Sequence, residues 1–150
     1  MKPLVVLLIS FLLFVVCYRV FTGSWEYTWP GNLSMAVMLL FTAIGHFKYS
    51  EGMRMMIPEQ IPFKLEIVYA TGIIECMGAV GLCIPSFRVL TAWLLIVFFV
   101  CILPANIYAA LKHVDYQQGT LAGPGVAYLW FRVPLQVFFI GWIWYFSLYS

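Results

Sequence analysis

An all-α transmembrane bundle of five spans is the fold this sequence predicts, and three observations carry the prediction. Of 150 residues, 64% are hydrophobic and 9% charged, against about 45–50% and about 25% in soluble domains. Eight basic and six acidic side chains cannot coat a soluble globule of this size. Apolar residues gather into unbroken runs such as LLIVFFVCIL (94–103), without the alternation of barrel strands and at the length of a spanning helix. The same composition excludes a nucleic-acid binder, a secreted disulfide scaffold and a disordered tail.

The spans follow in order as Pro3–Tyr18, Leu33–Phe47, Leu65–Ile84, Val89–Leu111 and Val126–Tyr149. They form one membrane domain over 1–150, with an N-terminal helix and outer loop at 1–31 and a core at 32–149. The first span also has a signal-peptide outline, a basic start and a short apolar centre. No A-x-A site follows it, and Cys17 comes after Phe14-Val15-Val16, so a retained helix is expected. The connection Lys48–Lys64 contains Pro58 and Pro62, which forbid a long helix. It is expected to lie along the membrane surface with its methionines dipping into lipid, as an amphipathic connector or as a lid over a polar site. Gly119–Gly125 reads as a flexible loop.

Charge near the span ends sets orientation. Lys2, Lys48, Arg54, Lys64 and Lys112 fall on the N-terminal side, Arg19 and Arg88 on the other. This places the N-terminus in the cytoplasm and the C-terminus outside, in the cell membrane (the inner one in a bacterium). Trp25, Tyr27 and Trp29, with Trp142, Trp144, Tyr145 and Tyr149, would line the outer interface.

Cys17, Cys76, Cys83 and Cys101 lie in apolar segments without a C-x-x-C pair and read as small apolar side chains. His46 and His113 lack metal-ligand spacing with each other or with cysteine, so no metal site is expected. Phosphate loops, G-x-S-x-G and HExxH are absent from the sequence. The small residues Gly72, Gly78, Ala79 and Gly81 read as a helix-packing face.

Ionisable groups inside a membrane cost about 2.5–3.5 kcal/mol or more and generally have a partner or line a cavity. Glu75 sits ten residues into the third span; Arg132 and Gln136 lie in the fifth, Asn106 near the end of the fourth and His46 near the end of the second. Topology puts His46, Asn106 and Arg132 in the cytoplasmic half with Glu75 near the centre. These five residues are the candidate ligand or proton site; a Glu75–Arg132 pair that fixes helix register is the structural alternative. Pro104 and Pro134 would free the carbonyls of Val100 and Trp130, with Asn106, Arg132 and Gln136 as nearby donors. A fifth helix beginning at Val133 would instead make Pro134 a first-turn proline and Arg132 an interfacial residue.

The succession GHF (45–47), MMIPEQIP (55–62), TGIIECMG (71–78), PANIYAAL (104–111) and RVPLQ (132–136) resembles the DoxX-like membrane protein family over about Asn32 to Tyr149. The resemblance implies a four-helix core, to which the first span is an addition. Some relatives are linked to thiosulfate oxidation with quinone, some to redox or oxidative-stress complexes and some to assembly of membrane proteins. No catalytic assignment carries over residue by residue. Two functions follow as expectations. One is a membrane subunit of a redox system with no intrinsic cofactor, binding a quinone at the polar site and taking electrons from a protein partner. The other is a non-enzymatic assembly factor whose small-residue faces hold partner helices or further copies of the chain. A small transporter is disfavoured, because the two halves show no internal similarity.

Overall fold

The computed structural model describes residues 2–149. Helix α1 spans Lys2–Thr22, α2 Thr28–Lys48, α3 Ser50–Arg54, α4 Lys64–Cys83 and α5 Pro85–Leu111. A 3-10 turn at Gly125–Tyr128 leads into α6, Leu129–Ile143, which continues as a π-helical turn over Trp144–Tyr149. Five stretches are long and apolar enough to cross a membrane: Lys2–Thr22, Thr28–Lys48, Lys64–Cys83, Pro85–Leu111 and Gly125–Tyr149. The protein is an all-α membrane bundle.

Two prolines move helix starts ahead of the hydropathy boundaries. Pro30 sits at the third position of α2 and Pro85 opens α5; first-turn amides have no helical acceptor, so proline is tolerated there. Thus α2 begins at Thr28 rather than Leu33, and α5 at Pro85 rather than Val89. The last span takes the longer of its two readings: Pro134 lies inside α6, and Arg132 belongs to the helix.

α4 lies along α2 and against α5; α1 covers α2, and α5 joins α4 to α6. Leu7, Met35, Leu39, Leu82, Leu95 and Ile143 form the fully buried centre. The glycine face of α4 is used within this bundle. A Cβ at Gly78 would come within 2.6 Å of Leu95, and one at Gly81 within 2.2 Å of Thr91. Leu12, Ile44, Met77, Leu94 and Val137 are exposed, as expected where lipid tails are the solvent. The four cysteines are free.

At the His46 end the connections are closely built. Gly52 of α3 meets the Tyr116 carbonyl so tightly that a Cβ would lie 1.9 Å from its oxygen. Glycine is the residue that permits this approach. The segment expected to be a loose glycine loop is tied down by hydrogen bonds. Gly123 N donates to His113 O at 2.7 Å, Asp115 N to Thr120 O at 2.7 Å, and Gly125, at φ +68°, faces the His113 ring. The Lys48–Lys64 connection turns inward more than expected. Ile57 is buried and Met53, Met55 and Met56 are half-buried.

Candidate functional site

Close approach of α2 and α4 creates the central pair. A Cβ at Gly72 would sit 3.0 Å from the His46 Cβ and 3.3 Å from the Phe47 ring. Three residues on, Glu75 occupies the same face of α4 and is 3% exposed. His46 Nδ1 lies 3.0 Å from Glu75 Oε2 and 3.1 Å from the Thr42 carbonyl oxygen. The carbonyl can only accept, so the contact is attractive only if Nδ1 carries a proton. That argument fixes the tautomer: in the neutral ring Nε2 holds the lone pair. One proton serves two acceptors. Oε2 is therefore at ion-pair distance but lacks a well-directed hydrogen bond, and it is fully buried. A carboxylate oxygen in that position is costly as a bare anion, and the His46 ring is the polar group nearest to it.

The other three predicted residues gather between α5 and α6. Asn106 Nδ2 donates to Gln136 Oε1 at 3.3 Å, and Gln136 Nε2 donates to the Phe99 carbonyl. The carbonyl served is one residue before Val100, the acceptor that loses its amide to Pro104. Both amide side chains are buried. Arg132 Nη1 donates to the Tyr128 hydroxyl at 3.4 Å. Its guanidinium lies 5.6 Å from the Tyr128 ring centre and 5.9 Å from that of Tyr116, within cation–π range. A cavity of about 20 Å³ bordered by Asn106, Arg132, Tyr116, Tyr128 and Met56 has room for about one water.

The anticipated shared cluster is thus divided in two. The carboxylate of Glu75 is partnered by His46 and not by Arg132: among the described residues no acid lies within ion-pair distance of Arg132. The reason is topological, since α4 lies along α2 and α5 while α6 lies along α5. The two parts still share an end of the bundle, where Gly52 meets Tyr116 and Met56 borders the Arg132 cavity. Met56 in the cavity wall brings the Lys48–Lys64 connection beside Asn106 and Arg132. Among the described residues no group of three or more His, Cys, Asp or Glu is placed to hold a metal.

A family model described as Domain of unknown function (DUF8561) matches residues 35–147. The chain belongs to this family. No curated protein and no solved structure matches it. His46, Glu75, Asn106, Arg132 and Gln136 all lie inside the matched span, and all of α1 and the start of α2 lie outside it.

A further polar cluster, at the opposite end, was not foreseen from the sequence. Asn32, 2% exposed, donates to Thr28 O at 2.8 Å and to Phe146 O at 2.7 Å. Its Oδ1 accepts from the Ser147 hydroxyl at 2.5 Å. Trp142 Nε1 donates to Gly31 O at 3.0 Å beside it. The sequence boundary at Leu33 left Asn32 just outside the second span; with the helix starting at Thr28 the amide falls inside it and needs a partner in lipid as much as Asn106 does.

Proposed function

We propose that this chain is the membrane-embedded subunit of a redox system whose His46–Glu75 pair serves a quinone or similar lipid-soluble carbonyl compound. The observation that carries the reading is the buried Glu75 Oε2, held 3.0 Å from a ring nitrogen yet without a directed donor. Ionisable groups in this setting mark function by default. A ring cannot enter the cavity of about 20 Å³ beside Arg132, so access is from lipid. There the His46 side chain keeps 19% of its surface exposed. Next to it Phe47 and Tyr69 stack at 5.9 Å, both partly open to the lipid side, and supply a flat aromatic surface.

When bound, a quinone accepts two electrons and two protons. The electrons come from a protein partner. His46 takes a proton from water at Nε2 and hands it from there to a quinone oxygen, once for each of the two protons, while Nδ1–H stays engaged by Thr42 and Glu75. The Glu75 carboxylate stabilises the charged ring between the two transfers. Asn106 and Gln136 are satisfied by each other and by Phe99, so they hold α5 to α6 and do not reach the ligand. The resemblance to the DoxX-like family belongs to this proposal. The assembly-factor reading relied on the glycine face of α4, and that face is filled by His46, Phe47, Leu95 and Thr91.

Extraction of the purified protein with its native lipid, followed by mass spectrometry, tests the reading. Quinone is expected in the wild type and lost in His46→Ala, and an added short-chain quinone is expected to bind the wild type alone. A wild type without quinone, and equal short-chain quinone binding by both proteins, would overturn it.

A further inference from the structure

A second concave surface lies where the Lys48–Lys64 connection meets the start of α4, apart from His46 and Glu75. It is an open groove of about 470 Å³. Its charged lining is Arg54, Lys64 and Glu66, and its apolar lining includes Met55, Ile61 and Phe63. Lys64 is the first residue of a spanning helix, so the cleft sits at headgroup depth. Phe63, with φ +55°, is 73% exposed, and Ile61 is 40% exposed. Both offer apolar surface at that level.

The charges are unevenly used. Arg54 Nε pairs with Glu51 at 2.9 Å, which leaves its terminal amino groups to other acceptors. Among the described residues no acid lies within ion-pair distance of Lys64, and no base within that distance of Glu66. Two cations and one carboxylate in an apolar-walled cleft complement a ligand carrying one anionic and one cationic group on a greasy body. The first turn of α4 has no side-chain cap, so its amide ends are left to other acceptors.

We propose that this cleft binds the headgroup of an aminophospholipid. Arg54 and Lys64 take the phosphodiester through charge-assisted hydrogen bonds. Glu66 takes the primary ammonium, and Ile61 and Phe63 lie against the glycerol and upper acyl chain. A quaternary ammonium has no N–H to donate, and a glycerol headgroup has no cation, so both satisfy Glu66 less well. The site needs nothing from the His46–Glu75 pair.

The test is lipid retention by the full chain, measured by native mass spectrometry from nanodiscs of phosphatidylcholine doped equally with phosphatidylethanolamine and phosphatidylglycerol. Phosphatidylethanolamine is expected to be enriched on the protein. The double variant R54Q/K64Q should reduce retention of every phospholipid about tenfold, the equivalent of about one charge-assisted contact. Glu66→Gln should abolish the preference for the amine headgroup while leaving total retention in place. Inorganic phosphate added in excess should displace little, because it brings neither ammonium nor acyl chain. Circular dichroism verifies that the variants keep their helix. Retention without headgroup preference, or an amine preference that survives Glu66→Gln, would overturn the proposal. Displacement by phosphate alone would also overturn it, by showing a simple anion site.

Discussion

Asn32 and Glu75 are both buried polar residues in spanning helices, at opposite ends of the bundle, and their surroundings differ in one respect. Around Asn32 every polar atom of the side chain has a partner: two amide hydrogens go to Thr28 and Phe146, and the oxygen accepts from Ser147. Around Glu75 one ring proton faces two acceptors, and a carboxylate oxygen has no directed donor. A saturated network acts as a lock, since any change in protonation or geometry only removes bonds. An unsaturated one can gain a proton or a ligand without breaking anything. The contrast separates a saturated cluster from an unsaturated one without reference to residue type, because both clusters are polar and both are buried.

The comparison is first tested on the backbone that supports the lock. Gly31 precedes Asn32, and a Cβ there would lie 2.3 Å from Phe146 Cγ. Gly31→Val is expected to destabilise by about 3 kcal/mol, the upper end for overpacking, measured as a shift in unfolding in mixed micelles. Gly141 is the control: a Cβ there meets nothing within 4 Å, so Gly141→Ala should leave stability unchanged or slightly raised, as Ala favours helix. Equal effects at the two glycines would mean that the α2–α6 contact is not a lock.

Asn32→Leu comes next. It removes the bonds to Phe146 and Ser147 and strands their polar atoms within the bundle. About 1–2 kcal/mol is expected, toward the upper range for side-chain hydrogen bonds in membrane proteins, by the same unfolding measurement. Gln136→Leu should cost about 1 kcal/mol, since Asn106 and the Phe99 carbonyl each lose a partner. That would place the Asn106–Gln136 contact with the lock and apart from the His46–Glu75 pair. A Gln136→Leu protein of unchanged stability that had lost quinone binding would move it to the other side.

The sequence shows this division only in part. Span number and helical class follow from hydrophobic runs, because lipid demands long apolar helices whatever the neighbours are. Helix ends at Thr28 and Pro85 were obscured by prolines that hydropathy counts as breaks and that first turns accept. His46 and Glu75 were recognisable as intramembrane ionisable residues. Their partnership was not, since it depends on α4 lying beside α2 through the Gly72 contact, and one chain's hydropathy does not order helices around a bundle. For the same reason Glu75 and Arg132 looked like natural partners. Opposite charge at related depth says nothing about which helix faces lie together, and aromatic rings met the guanidinium instead.

Among the buried polar residues the smallest expected change in stability is at Glu75, and it is the most informative. If the pair with His46 were a register lock, removing the charge would destabilise the bundle as Asn32→Leu does. If the carboxylate is held for proton exchange, Glu75→Gln keeps the shape, leaves His46 free to be neutral and puts no uncompensated charge in the interior. Stability should then stay within about 0.5 kcal/mol of wild type, because the cost of breaking a buried pair comes from the charge left behind and a neutral ring leaves none. The carboxyl stretching band that responds to quinone reduction in infrared difference spectra should disappear at the same time. A Glu75→Gln protein that loses stability to the extent of Asn32→Leu, with an unaltered infrared difference spectrum, would put the two ends of the molecule in the same class.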